Sequence, residues 1–106
     1  MLFTTTSNIE GHKITQYIGL VSGHAIVGIN AVRDMFAGVR DIAGGRVSGY
    51  EKELEKARDG AADDMAKSAE RMGANAVIGI DLDFEVMGKE NGMIMCVASG
   101  TAVKYN

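Results

Sequence analysis

The sequence predicts an α+β domain: a two-layer unit in which an antiparallel sheet carries one long and one short helix, in the order β-β-α-α-β-β. Three observations predict it. Runs rich in Ile, Val, Tyr and Thr lie toward both ends of the chain, a long stretch with apolar residues at three- and four-residue spacing occupies the middle, and a cleanly alternating run follows it.

The first element is the β-branched run Thr4-Thr5-Thr6, and turn-forming Asn8-Ile9-Glu10-Gly11 separates it from Lys13 to Val27. These two runs read as a hairpin, with Gly19, Gly23 and Gly28 as bends or bulges in the longer strand. Asn30 then caps a short amphipathic helix in which Val32, Met35, Phe36, Val39 and Ile42 share a face, ended by Gly44-Gly45.

Ser48 and Glu51 form a capping box, so the second helix begins near Gly49. Tyr50, Leu54, Ala57, Ala61, Met65, Ala69 and Met72 make one stripe, and Gly73 suits the position just past its end. At 1.5 Å per residue its roughly 24 residues span about 36 Å, enough to cross a sheet from edge to edge. Ala57, Ala61, Ala62, Ala66 and Ala69 give it a small-residue surface that would admit another backbone, although alanine also favours helix on its own account.

From Ala76 to Met87, Ile80, Leu82, Phe84 and Val86 alternate with Asp81, Asp83 and Glu85, as expected of a strand buried on one face. Gly88 to Gly92 is a hairpin connection, and Met93 to Val103 returns as the last strand. Met93-Ile94-Met95-Cys96-Val97-Ala98 is apolar on both faces, whereas two helices cover only one face of a sheet. This strand is therefore either central and sandwiched or covered by a neighbouring subunit, and a homo-oligomer is the expectation.

Composition limits function. With 106 residues, 46% hydrophobic and 24% charged, the chain suits one globular domain spanning residues 1–106. A net charge of −3 gives no broad phosphate-binding surface, so nucleic acid is not an expected partner. The apolar stretch Ile14 to Val27 is broken by Gln16, Ser22, Gly23 and His24, which leaves no membrane-spanning helix. A lone cysteine, which cannot form an intrachain disulfide, and a start Met-Leu-Phe-Thr-Thr-Thr without the basic, apolar pattern of a secretory signal make the cytoplasm the expected compartment.

Several blocks occur together: Val27-Gly28-Ile29-Asn30, Arg33-Asp34, Arg40-Asp41, Gly44-Gly45-Arg46, Tyr50-Glu51 with Leu54, Gly73-Ala74-Asn75-Ala76-Val77, and Ser99-Gly100-Thr101-Ala102-Val103. Over essentially its whole length the chain thus resembles the YbjQ family, small prokaryotic proteins to which heavy-metal binding is ascribed by structural inference. The resemblance implies a dodecin-like two-layer unit assembled as a homopentameric ring, and a metal ion as the ligand.

A soft metal needs thiolate, thioether or imidazole ligands. Cys96, His12, His24 and seven Met are available, without CxxC or HxxxH spacing. The ordinary reading of Met93, Met95 and Cys96 is core packing; the functional one is a ligand given once per subunit around a ring axis. Asp81, Asp83 and Glu85, about 7 Å apart along one strand face, are either a solvated face or oxygen ligands suited to a hard cation. Arg33, Asp34, Arg40, Asp41 and Arg46 are either ion pairs within and between subunits or the lining of an anion or small-molecule pocket beside the Gly44-Gly45 turn. Ser22 and His24 put a hydroxyl near an imidazole, but at i and i+2 in a strand they share a face only as neighbours and no Gly-x-Ser-x-Gly elbow occurs, so no catalytic constellation is identified and a binding role is expected, with an enzymatic ring as the alternative.

Overall fold

The computed structural model describes residues 1–28, 48–89 and 92–106. Within them, strands β1 (Leu2–Phe3), β2 (Ile14–Gly28), β3 (Ala76–Met87) and β4 (Met93–Tyr105) form one sheet, and helix α1 (Ser48–Arg71) packs on it. The short helix expected after Asn30 falls outside the described residues.

The strand order is β1-β3-β4-β2, which makes the sheet mixed where an antiparallel one was expected. β4 runs antiparallel to both β2 and β3, but β1 pairs in parallel with β3 through Leu2–Ala76 and Phe3–Val77. The predicted N-terminal hairpin is therefore incorrect: β1 and β2 lie at opposite edges. The reason lies in Ile9. The chain from Thr6 to Lys13 crosses beneath the sheet, and Ile9 packs with Ile14 and Tyr105 against buried Ala76, Ile78 and Val103, burial that a tight turn would forfeit. Thr4 and Thr6 extend the β1 side, their carbonyls accepting the Ile80 and Gly79 amides at 3.1 and 2.8 Å.

β4 is central because it is the strand apolar on both faces. Its Ile94, Cys96, Ala98 and Ala102 are buried, the last three in one cluster with Ala57, Ala61, Met65 and Ala69 of α1. The small residues of α1 are thus spent inside the subunit: Ala57, Ala61 and Ala69 are buried against the chain's own sheet, not held open for a second backbone, and Ala62 and Ala66 are half-buried. Gly23 on β2 completes the close approach, since a methyl there would collide with the backbone of Ala61 and Met65. Of the other glycines in β2, Gly19 sits at a register shift with φ +154°, as a bulge requires, whereas Gly28 pairs regularly with Met93.

Helix α1 ends as its sequence requires. Gly73 adopts φ +88°, its amide donates to the Glu70 carbonyl (2.9 Å), and the Ala74 amide donates to the Ala69 carbonyl (3.0 Å), the paired bonds of a Schellman motif. Asn75 follows and imitates a strand residue: its side-chain amide donates to the Tyr105 carbonyl and its Oδ1 accepts the Tyr105 amide, both at 3.0 Å. The turn thereby hands the chain from helix to sheet without leaving the end of β4 unpaired. No helix among the described residues is long and apolar enough to cross a membrane.

Candidate functional site

Alternation along the strands sorts the candidate residues onto two faces. Pairing with Cys96 and Ala98 puts Phe84 and Leu82 on the face that carries α1, with Val86 opposite Ile94. On the other face, register aligns Asp81 with Ser99 and Ser22, Asp83 with Val97 and His24, and Glu85 with Met95 and Ile26. The expected alternation of β3 is observed, but its apolar side is not buried. Leu82, Phe84 and Val86 are 38%, 47% and 49% exposed, because α1 lies over β2 and β4 and leaves this arm of β3 uncovered.

The acidic row has its own electrostatics. The Asp83 carboxyl is pushed up from its ordinary value, first by a side-chain hydrogen bond with Asp81, then by the Asp81 charge, by desolvation and, least, by the field of Glu85. His24 lies two strands from Asp83, about 10 Å at the usual inter-strand spacing, and is turned toward the helix. Asp64 Oδ2 accepts the His24 amide at 3.0 Å and stands 3.9 Å from its Nδ1. Imidazole and strand carboxylates are therefore not brought together.

Cys96 is on the opposite face from the acids, fully buried beneath α1. Burial pushes its thiol up, the Asp83 charge adds to this and the Arg58 charge opposes it. A protonated, enclosed thiol is a core hydrophobe in its behaviour. His12 Nδ1 donates to the Asn106 carbonyl oxygen at 2.7 Å and the ring meets Tyr105 edge to face, which ties the crossing loop to the end of β4. Among the described residues, no group of three or more His, Cys, Asp or Glu side chains is arranged to hold a metal ion. The donors of one described chain thus do not fit a soft heavy metal, which wants several thiolate, thioether or imidazole ligands converging on one point. Arg33, Asp34, Arg40, Asp41 and Arg46 lie outside the described residues.

A feature that sequence reading missed is a cleft of about 450 Å³ between α1 and the β1–β3 side of the sheet. Phe3, Met65, Ile80 and Leu82 line it, and Thr4, Thr5 and the ion-paired Arg58 and Asp59 (3.2 Å) stand on its polar side. It exists because β1 sits beside β3. No spacing in the sequence signals it, since it joins residues more than fifty positions apart.

A small α+β domain whose described residues set one helix on one face of a mixed sheet, with an acidic row on the reverse, is the class these features define. The chain belongs to the YbjQ family, whose model carries the description "Putative heavy-metal-binding" and matches residues 1–106. A crystal structure of a protein of unknown function from Pediococcus pentosaceus, assigned to the DUF74 family, is similar in fold: TM-score 0.67 at 17% identity, covering 100% of this chain and 98% of that one.

Proposed function

We propose that this protein is a cytoplasmic, non-enzymatic binding domain that works as a homo-oligomer, a pentameric ring in keeping with its family resemblance. The observation that carries this reading is the uncovered Leu82, Phe84 and Val86 stripe on β3. Antiparallel strands facing water carry polar residues there, and a contiguous apolar row beside a cleft is the signature of a surface used in association.

Metal binding is the ligand reading that the family description supports. The described residues of one chain gather no ligand set, and in a ring the Asp81, Asp83 and Glu85 rows are the side chains that would be brought round repeatedly as ligands from several subunits. Their oxygen donors favour calcium, magnesium or manganese over cadmium or copper. Equilibrium dialysis with elemental analysis checks this: manganese retained at a fixed ratio to the ring, and lost on Asp81→Asn/Asp83→Asn substitution, is expected. Absence of sub-millimolar binding for manganese, calcium, zinc, copper, cadmium and nickel alike would remove the metal from the account.

The cleft favours a second reading, a small-molecule or anion-binding ring. An apolar floor of Phe3, Met65, Ile80 and Leu82 with Arg58 and two threonine hydroxyls nearby suits a small amphipathic anion.

A further inference from the structure

We infer that the cleft between α1 and the β1–β3 side of the sheet binds a monocarboxylate with an unbranched apolar tail, its head group on the Arg58 guanidinium and its tail over Phe3, Ile80 and Leu82. The inference rests on the second reading above and names the ligand class of that site. At about 450 Å³ the cleft is of the size of small-molecule sites. Arg58, Ala62 and Met65 line it at four- and three-residue spacing, so they form one strip of α1 with the cation at one end. From Arg58 to Met65 this strip runs roughly 10 Å at the helical rise, close to the extended length of octanoate. The facing wall is apolar. Phe3 and Ile80 pack at the margin of the core and Leu82 is exposed, so a hydrocarbon tail laid between them and Ala62 takes apolar surface out of water.

Charge selects the head group. Among the described residues, Arg58 is the one cation that lines the cleft. Its present partner is weakly held: Asp59 offers a single oxygen, Oδ1, to both Nε and Nη2 at 3.2 Å, and both side chains are half or more exposed. Adjacent residues do not face each other on a helix, and an ion pair this exposed contributes little to stability. A carboxylate entering from the cleft meets the guanidinium with two oxygens, the bidentate geometry that arginine favours. The Arg58 charge also opposes the effect of burial on the Cys96 thiol beneath α1, which places the cation toward the sheet side of the helix. Thr4 and Thr6 bond to each other, whereas the Thr5 hydroxyl on the rim is free among the described residues to donate to a ligand. With Asp59 alongside, one guanidinium balances a single negative charge and not the two of a phosphate, and an ammonium head would meet it as a like charge.

The test is isothermal titration of the purified full chain, in whatever assembly it forms, with sodium octanoate below its micelle concentration. One octanoate per chain with a sub-millimolar Kd is expected. 1-Octanol keeps the tail but loses the charge-assisted bonds, so it should bind at least about tenfold more weakly, and octylammonium and inorganic phosphate should not compete. Arg58→Gln should cost a similar factor. Asp59→Asn should tighten binding by up to about fivefold, because it removes the carboxylate that the ligand displaces. Loss of a merely structural ion pair would move both variants the same way. Octanoate binding that Arg58→Gln leaves unchanged, that Asp59→Asn fails to tighten, or that octanol or octylammonium matches overturns the inference and leaves a cleft for some other small molecule. Phosphate binding that is lost in Arg58→Gln, without octanoate binding, also overturns it but keeps the anion reading. No binding of any of these probes overturns the inference and the reading beneath it together.

Discussion

At Gly23 the absence of a side chain sets the distance between the two layers of the fold. The helix backbone at Ala61 and Met65 occupies the space in which a β-carbon would stand, and Ala25 and Gly60 make a second close contact beside it. Gly23→Ala forces α1 away from β2 and loosens the cluster around Met65. A loss of about 3 kcal/mol is expected, at the upper end of ordinary overpacking costs, read by urea unfolding at matched protein concentration. Asp83 acts in the opposite direction. Its pKa is raised in the folded protein by Asp81 and Glu85, so the native state binds its proton more tightly than the unfolded chain does. The repulsion costs stability above the raised pKa and disappears as pH falls through it. Asp83→Asn should therefore raise the melting temperature at neutral pH, and the gain should vanish toward the ordinary aspartate range; a gain constant over that window would contradict the assignment. Alternation displayed the acids of β3 in the sequence, and Gly23 was visible as an irregularity in a strand. That Gly23 pairs regularly and serves the helix could not be read, because the clash is with residues about forty positions away.

Among the elements, those specified by local chemistry were legible. Helix α1 begins at Ser48, one residue before the start the sequence predicted, and ends before Gly73, and β3 and β4 lie where alternation and the expected hairpin connection put them, with β4 running two residues further. The element that was not legible is β1. Thr4-Thr5-Thr6 has strand propensity, but propensity carries no information about which strand is the neighbour, and the choice is made by Ile9 seeking the pocket around Ile78 and Val103. Asn75 shows how a local residue enforces a long-range join. Its two bonds to Tyr105 hold the start of β3 to the end of β4. Asn75→Ala should lose about 1–2 kcal/mol, given typical net hydrogen-bond contributions, and should accelerate amide exchange at Tyr105. Asn75→Asp keeps the acceptor for the Tyr105 amide but loses the donor, so it should fall between the two.

At the scale of the whole molecule, the described residues form a two-layer unit in which α1 covers β2 and β4 and leaves the Asp81–Met87 arm of β3 exposed. The sequence made the shortage of cover legible through β4, yet the exposed large apolar side chains of the described sheet lie mainly on its flanking strands, Tyr17, Leu20 and Ile26 on β2 and Leu82, Phe84 and Val86 on β3, because β4 takes the central place and uses the helix itself. The cleft depends on strand order, a property of the assembled sheet that no local pattern encodes. Among the candidate site residues, Cys96 is enclosed and His24 is bonded to α1 through its backbone; the acidic row remains on an open face. Association would cover apolar surface left exposed among the described residues, and in a ring it would also repeat the acidic row around an axis. The most direct measurement is a native mass spectrum of the untagged protein purified without chelator, because it reads subunit number and any retained ligand mass at once. A pentamer at micromolar concentration is the result this account predicts, and a monomer with the same far-ultraviolet circular dichroism would contradict it.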